Sequence, residues 1–117
     1  MELNCYQTCA LETATYPATY RIIYPSLGMN GEAGEVADKV KKLLRDHADL
    51  PRTADGAIIV PSDVRPELAK EVGDVLWYVA VMAADLGYSL DEVARMNLEK
   101  LASRKQRGVL GGSGDNR

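Results

Sequence analysis

Residues 31–42 read GEAGEVADKVKK and residues 70–78 read KEVGDVLWY, and these two stretches decide the fold. Glu32 and Glu35 stand three apart in the first, Glu71 and Asp74 three apart in the second. On an α-helix, residues at i and i+3 share one face about one turn apart, so each stretch presents two carboxylates in one direction. Two such helices packed face to face collect all four acids in one place. Like charges at that density repel, and the arrangement is tolerated only with cations among them or with some groups protonated. Hard divalent ions that prefer oxygen ligands, Mg²⁺ or Mn²⁺, suit such a site. The pattern predicts an all-α chain with metal-dependent chemistry on a phosphate-bearing substrate.

Around the first stretch, a helix is expected from Ser26 to about Asp46, with Met29, Ala33, Val36, Ala37, Val40, Leu43 and Leu44 as its core face. Gly28, Gly31 and Gly34 lie in it, each less favourable in a helix than Ala by about 0.8–1.0 kcal/mol. Keeping them implies close approach by another helix or a ligand. Glu32, Glu35, Lys39 and Lys42 make one stripe, which on a lone helix would read equally as a solvated charged face. Around the second stretch a helix runs from Asp63 or Pro66 to Leu86, with Pro66 tolerated in its first turn. Its middle, VLWYVAVMAA, is apolar nearly all round and must be surrounded. A small bundle does that poorly alone, so a homo-oligomer is expected.

Upstream, residues 3–14 read as a first helix with Leu3, Tyr6, Cys9, Ala10 and Thr13 inward. Tyr16, Tyr20 and Tyr24 follow; they either cover bundle ends or line a pocket for a planar base, on which aromatic faces stack. Residues 49–62, punctuated by Pro51, Gly56 and Pro61, form a loop or small hairpin. Downstream, Gly87 suits the position after a helix end, and Ser89 with Glu92 reads as a capping box opening a fourth helix. Leu90, Ala94, Leu98 and Leu101 are its expected buried stripe, edged by Val93, beside a row of Asn97, Lys100 and Arg104. Basic and amide groups in a row can meet phosphate oxygens, although spacing alone fits a surface charge pattern better. The ending, RGVLGGSGDNR, is Gly-rich and reads as a flexible tail with room for a lid.

The chain has 117 residues, the size of one domain, taken here as 1–117. Its net charge of −3 argues against a nucleic-acid surface, which is usually basic. No apolar run approaches the roughly 20 residues needed to span a bilayer. The polar, acidic N-terminus is unlike a signal peptide, so the cytoplasm is the expected location. Cys5 and Cys9 have no second Cys or His pair to complete a zinc site and read as reduced thiols. His47 sits at a helix end in RDHAD, where it complements the helix dipole.

Taken together, LGMNGEAGEVADKVKKLLRD, ELAKEVGDVLWYVAVMAADLGYSLDEVARMNLEKLASR and RGVLGGSGDNR resemble the MazG-like nucleoside triphosphate pyrophosphohydrolases of the all-α NTP pyrophosphatase superfamily. The likeness runs essentially the whole chain. Its signature is E-E-x-x-E followed by E-x-x-D; here Gly31 replaces the leading glutamate, and Glu32, Glu35, Glu71 and Asp74 match the Mg²⁺-binding positions. Asn97 and Lys100 match the N-x-x-K element that contacts nucleotide, with Arg104 at the spacing of its basic residue. The resemblance implies a four-helix protomer that forms a dimer or dimer of dimers. It also implies a native Gly-rich ending, and hydrolysis of (deoxy)nucleoside triphosphates to the monophosphate and pyrophosphate.

Within that expectation the four acids hold Mg²⁺ (or Mn²⁺), and Glu35 also accepts the proton of the attacking water. Lys100 and Arg104 steady phosphate charge, and Asn97 fixes sugar or phosphate by hydrogen bonds. Gln7 and Tyr16, with Tyr6, Tyr20 and Tyr24, are candidates for the base pocket. A hydrolase selective for one nucleotide, such as dUTP, dCTP or a purine dNTP, is one alternative, and a catalytically silent nucleotide-binding helical protein is another. A di-iron carboxylate bundle is disfavoured because its E-x-x-H pairs are missing.

Overall fold

Four α-helices carry the chain in a computed structural model that describes residues 1–117: α1 Leu3–Leu11, α2 Ile23–Asp46, α3 Arg65–Asp85 and α4 Leu90–Gln106. One 3₁₀ turn, Ala18–Tyr20, precedes α2, and the protein contains no β-strand. α2 packs chiefly on α3; α1 lies across α3, and α4 packs against both α1 and α3. No helix is long and apolar enough to cross a membrane.

Each boundary has a local cause. α1 ends at Leu11 rather than near residue 14, because the backbone N–H and hydroxyl of Thr13 both donate to the Ala10 carbonyl (3.1 and 2.8 Å) and tighten the chain into a turn. α2 starts at Ile23, three residues earlier than expected. Pro25 falls in its first turn, where an N–H has no intrahelical acceptor and its loss is free. The residue before α2, Ile22, sits at φ 67°, an unusual region for a β-branched side chain. Residues 49–62 do form a small hairpin, with Arg52 bridged to Ile58 and Gly56 at φ 91° in the turn. Gly87 follows α3 at φ 81°, and the Ser89–Glu92 capping box is formed in full.

The core gathers where α1, α3 and α4 meet: Ala10, Ala80, Ala83 and Leu90 are buried together, with Tyr6, Trp77, Val79 and Val93 packed around them. Gln7 is buried inside this cluster. Its amide donates to the carbonyls of Ala80 (3.0 Å) and Tyr88 (3.1 Å) and accepts the N–H of Leu90 (3.0 Å), joining three helices at one point.

Several expected core positions face outward instead. On α1, Leu3 and Cys9 are exposed and Gln7 takes the inward position. On α2, Ala33, Ala37 and Leu44 are exposed, while Leu43 is buried. On α4 the start of the stripe is covered at Leu90, but Leu98 and Leu101 are exposed. The protomer is correspondingly open. Its accessible surface is 8331 Å², against roughly 6,300 Å² for a compact chain of this size. Its radius of gyration is 17.5 Å, against about 13 Å expected.

Candidate metal centre

The α2–α3 pair sets the site by its register. Gly28 lies against Tyr78, Glu32 beside Asp74, and Lys39 beside Glu71, so the two helices run antiparallel. Gly28, Glu32, Glu35 and Lys39 follow one another at i, i+4, i+7 and i+11 on α2, as do Glu67, Glu71, Asp74 and Tyr78 on α3. That spacing keeps both rows on the facing sides of the pair. The acids therefore sit along the seam between the helices.

Glu32, Glu71 and Asp74 converge, each offering a carboxylate oxygen within 4.8 Å of the other two. Glu32 and Glu71 are half-buried and Asp74 is exposed. Partial burial, and then the charges of Asp74, Glu71 and Glu35, hold the Glu32 carboxyl above the ordinary glutamate range. Glu35 is thus near enough to act on Glu32 electrostatically, but it stands at the solvent side and outside the converging trio. Lys39 supplies the cation the cluster lacks: its Nζ lies 3.0 Å from Glu71 Oε1. That hydrogen bond to Glu71 raises the lysine pKa.

Tyrosines rim the acids. Tyr78 rests over Gly28, edge-on to Trp77 (centroids 4.9 Å apart, planes at 87°) and tilted against Tyr24 (6.2 Å). Burial, with the Asp74 charge behind it, raises the Tyr6 phenol. Tyr24 stacks on Tyr16 at 4.9 Å with planes 17° apart, and Tyr16 donates to Asp85 Oδ2 (2.8 Å). Burial and that hydrogen bond push the Tyr16 phenol up to about 12. The same Asp85 oxygen accepts the N–H of Ile22 (2.9 Å), which secures the strained entry to α2. Tyr16, Arg21 and Asp85 line a cavity of about 190 Å³ with Leu11, Ala14 and Ala18.

The remaining expected site residues lie elsewhere in the protomer. Asn97 and Lys100 are exposed and share a shallow depression with Val93 and Met96, which none of the acids lines. Arg104, the next in that row, is buried beneath the tail. Its Nη2 donates to the Asp115 carbonyl (2.8 Å) and lies 3.7 Å from the Asp115 carboxylate, while its Nε has no partner. Gln7 spends its amide on the core. Sequence reasoning gave no role to Asp85 or Tyr78, and placed Lys39 in a stripe without a partner. For Tyr78 and Lys39 the signal was available, since each continues the seam spacing of its helix by one further turn.

The donor set is all oxygen, drawn from two helices, with no imidazole or thiolate near it; Cys5 and Cys9 lie exposed on α1. Such a set fits a hard divalent ion and suits Mg²⁺ or Mn²⁺ over zinc. Helices that pair acids across a seam define an all-α protein with an acidic cluster able to hold a metal ion. The chain belongs to the MazG nucleotide pyrophosphohydrolase family, whose domain matches residues 26–109 and so takes in both acidic stretches and the α4 row. It is 45% identical to Gene 37 protein of Mycobacterium phage L5 over 123 residues, covering the whole of both chains. It is 33% identical to the uncharacterized protein YvdC of Bacillus subtilis (strain 168) over 75 residues, 62% of this chain and 65% of that one. No solved structure matches it.

Proposed function

We propose that the protein hydrolyses (deoxy)nucleoside triphosphates to the nucleoside monophosphate and pyrophosphate, with Mg²⁺ or Mn²⁺ held by Glu32, Glu35, Glu71 and Asp74. The observation that carries this reading is the convergence of Glu32, Glu71 and Asp74 from two helices in a chain of this family. A divalent ion held there supplies neutralisation of phosphate charge and a more acidic bound water. Glu35, at the solvent edge and free of any ion pair, is the group positioned to take a proton from that water. Tyr16 and Tyr24, already stacked and joined to the α2–α3 seam through Tyr78, offer an aromatic ledge for a planar base, with Gln7 the buried support of α4. Asn97, Lys100 and Arg104 are the phosphate and sugar contacts, and for Arg104 the tail must lift.

The same reading includes a homo-oligomer. Leu27, Leu44, Val72, Leu76, Leu98 and Leu101 are all at least 40% exposed, and the surface in excess of a compact chain is about 2,000 Å². A standard interface buries about 800 Å² per partner, so the excess surface is enough for contact with a second copy of the chain. Because Asn97 and Lys100 flank Leu98 and Leu101 on α4, a copy seated on those leucines also brings its own helices beside the nucleotide-binding row.

Pyrophosphate release from the eight common (deoxy)nucleoside triphosphates, with Mg²⁺, Mn²⁺ or EDTA, tests the proposal. Metal-dependent release that falls at least a hundredfold in folded Glu35→Gln and Asp74→Asn proteins is expected. Activity on one nucleotide only would narrow the substrate to that base. Full activity in both variants, or none in wild type with any nucleotide, would overturn the reading.

A further inference from the structure

Eight ion pairs hold this chain together, and only Lys39–Glu71 joins two α-helices. It is short, at 3.0 Å, and shielded, with the lysine side chain 31% and the glutamate side chain 18% exposed. The helical pairs made by Lys41, Lys42, Lys70 and Arg95 bind acids one turn away on their own helix, the cheap local arrangement. Lys39 instead reaches across the seam to an acid whose carboxylate also belongs to the converging trio. A single ammonium then stands where like charges would otherwise face one another uncompensated.

We propose that Lys39 is the protein's own counter-cation for the metal centre: it holds Glu71 in the metal-free state and competes with the divalent ion for that carboxylate. The inference rests on the metal-binding reading above. A carboxylate already bonded to an ammonium has lost part of its capacity to accept another cation, so loading the site requires Glu71 to give Lys39 up. Lys39 thereby sets how much metal is needed before Glu71 changes partner. It also keeps the acidic seam together in the meantime.

The test is Mn²⁺ binding to the full chain without nucleotide, followed by electron paramagnetic resonance of the free ion at physiological ionic strength. Lys39→Met should bind Mn²⁺ about fivefold more tightly than wild type, the equilibrium weight of an ion pair at the upper end of the exposed range. Lys42→Met removes the same charge from the same helix but takes one of two lysines from Asp38, outside the trio, and should change affinity less than about twofold because more distant exposed charges are screened. Lys39→Arg, which keeps a cation, should stay within about twofold of wild type. Melting gives a second readout: Lys39→Met should melt below wild type in EDTA and level with it at saturating Mn²⁺. Equal affinity gains in the Lys39→Met and Lys42→Met proteins, or a Lys39→Met deficit in melting that persists at saturating Mn²⁺, would overturn the role of Lys39 alone. Wild-type and Lys39→Met proteins that both fail to bind Mn²⁺ would overturn the metal centre and this inference with it.

Discussion

Gly28→Ala should destabilise the protein although alanine is the better helix former. A Cβ built on Gly28 would lie 2.6 Å from Tyr78 Cδ1 and closer still to Cε1 and Cζ, well inside ordinary contact distance. Those atoms belong to an aromatic ring, not to the end of a flexible chain, and the ring is packed against Trp77 and Tyr24. It therefore yields only by displacing its neighbours or prising α2 from α3. Overpacking of this kind costs about 1–3 kcal/mol, and the helix-propensity gain of about 0.8–1.0 kcal/mol offsets part of it. At the upper end of that range the net loss is about 2 kcal/mol, or about 8 °C in Tm for a chain of this length. Gly31 and Gly34 provide the contrast, since a Cβ on either meets nothing within 4 Å. Their replacement by alanine should raise stability by up to about 1 kcal/mol each. Thermal melts of the three single variants, with Gly28→Ala/Tyr78→Val closing a double-mutant cycle, separate the terms. A Gly28→Ala protein melting at or above wild type would refute the seam register that aligns the acids. A Gly34→Ala protein as damaged as Gly28→Ala would mean that a second copy rests on that face.

Gln7→Leu should cost about 2–4 kcal/mol in urea denaturation, because it strips the buried Leu90 N–H of its acceptor as well as removing two donated bonds; a loss under about 0.5 kcal/mol accompanied by a raised KM would place Gln7 in the substrate pocket instead. For Glu32, whose pKa is raised from 4.5, folding favours the protonated acid, so its contribution is fully present below about pH 4.5 and is lost as pH rises through the folded value. In EDTA, Glu32→Gln should therefore melt level with wild type near pH 4 and above it at pH 7–8; a variant that melts below wild type at pH 8 would contradict the crowded-acid argument. Asp38, held down to about 2 by Lys41 and Lys42, carries the opposite sign. Asp38→Asn should weaken the fold at neutral pH, with the difference fading as pH falls from about 4 toward 2 in the same melts.

Much of the architecture was legible because local chemistry writes it directly. The capping box at Ser89 and the left-handed Gly87 fixed the α3–α4 turn, and the spaced acids pointed to the helix faces that meet, where Glu32, Glu71 and Asp74 converge and Glu35 stays outside. The sequence stripe of Glu32, Glu35, Lys39 and Lys42 was less faithful, for a geometric reason. At 3.6 residues per turn, Lys39 returns to within about 20° of Glu32, whereas Lys42 is about 80° away. One lysine consequently crosses the seam to Glu71 and the other drops back to Asp38. Gln7 escaped notice in its structural part because hydrophobic periodicity cannot assign a polar residue to a core. Only the unpaired N–H at the start of α4, brought from 83 positions away, explains why an amide is needed there.

The α4 leucines make a different point. Apolar periodicity counts every surface a helix must hide from water, without distinguishing a neighbour in the same chain from one in another. Leu90 is covered within the protomer, but Leu98 and Leu101, two and three turns on, are not. A stripe that begins in the core and continues unspent into solvent belongs to two packing problems at once. The second copy proposed above would give the exposed half of α4 its cover, and the Asn97–Lys100 row would travel with it.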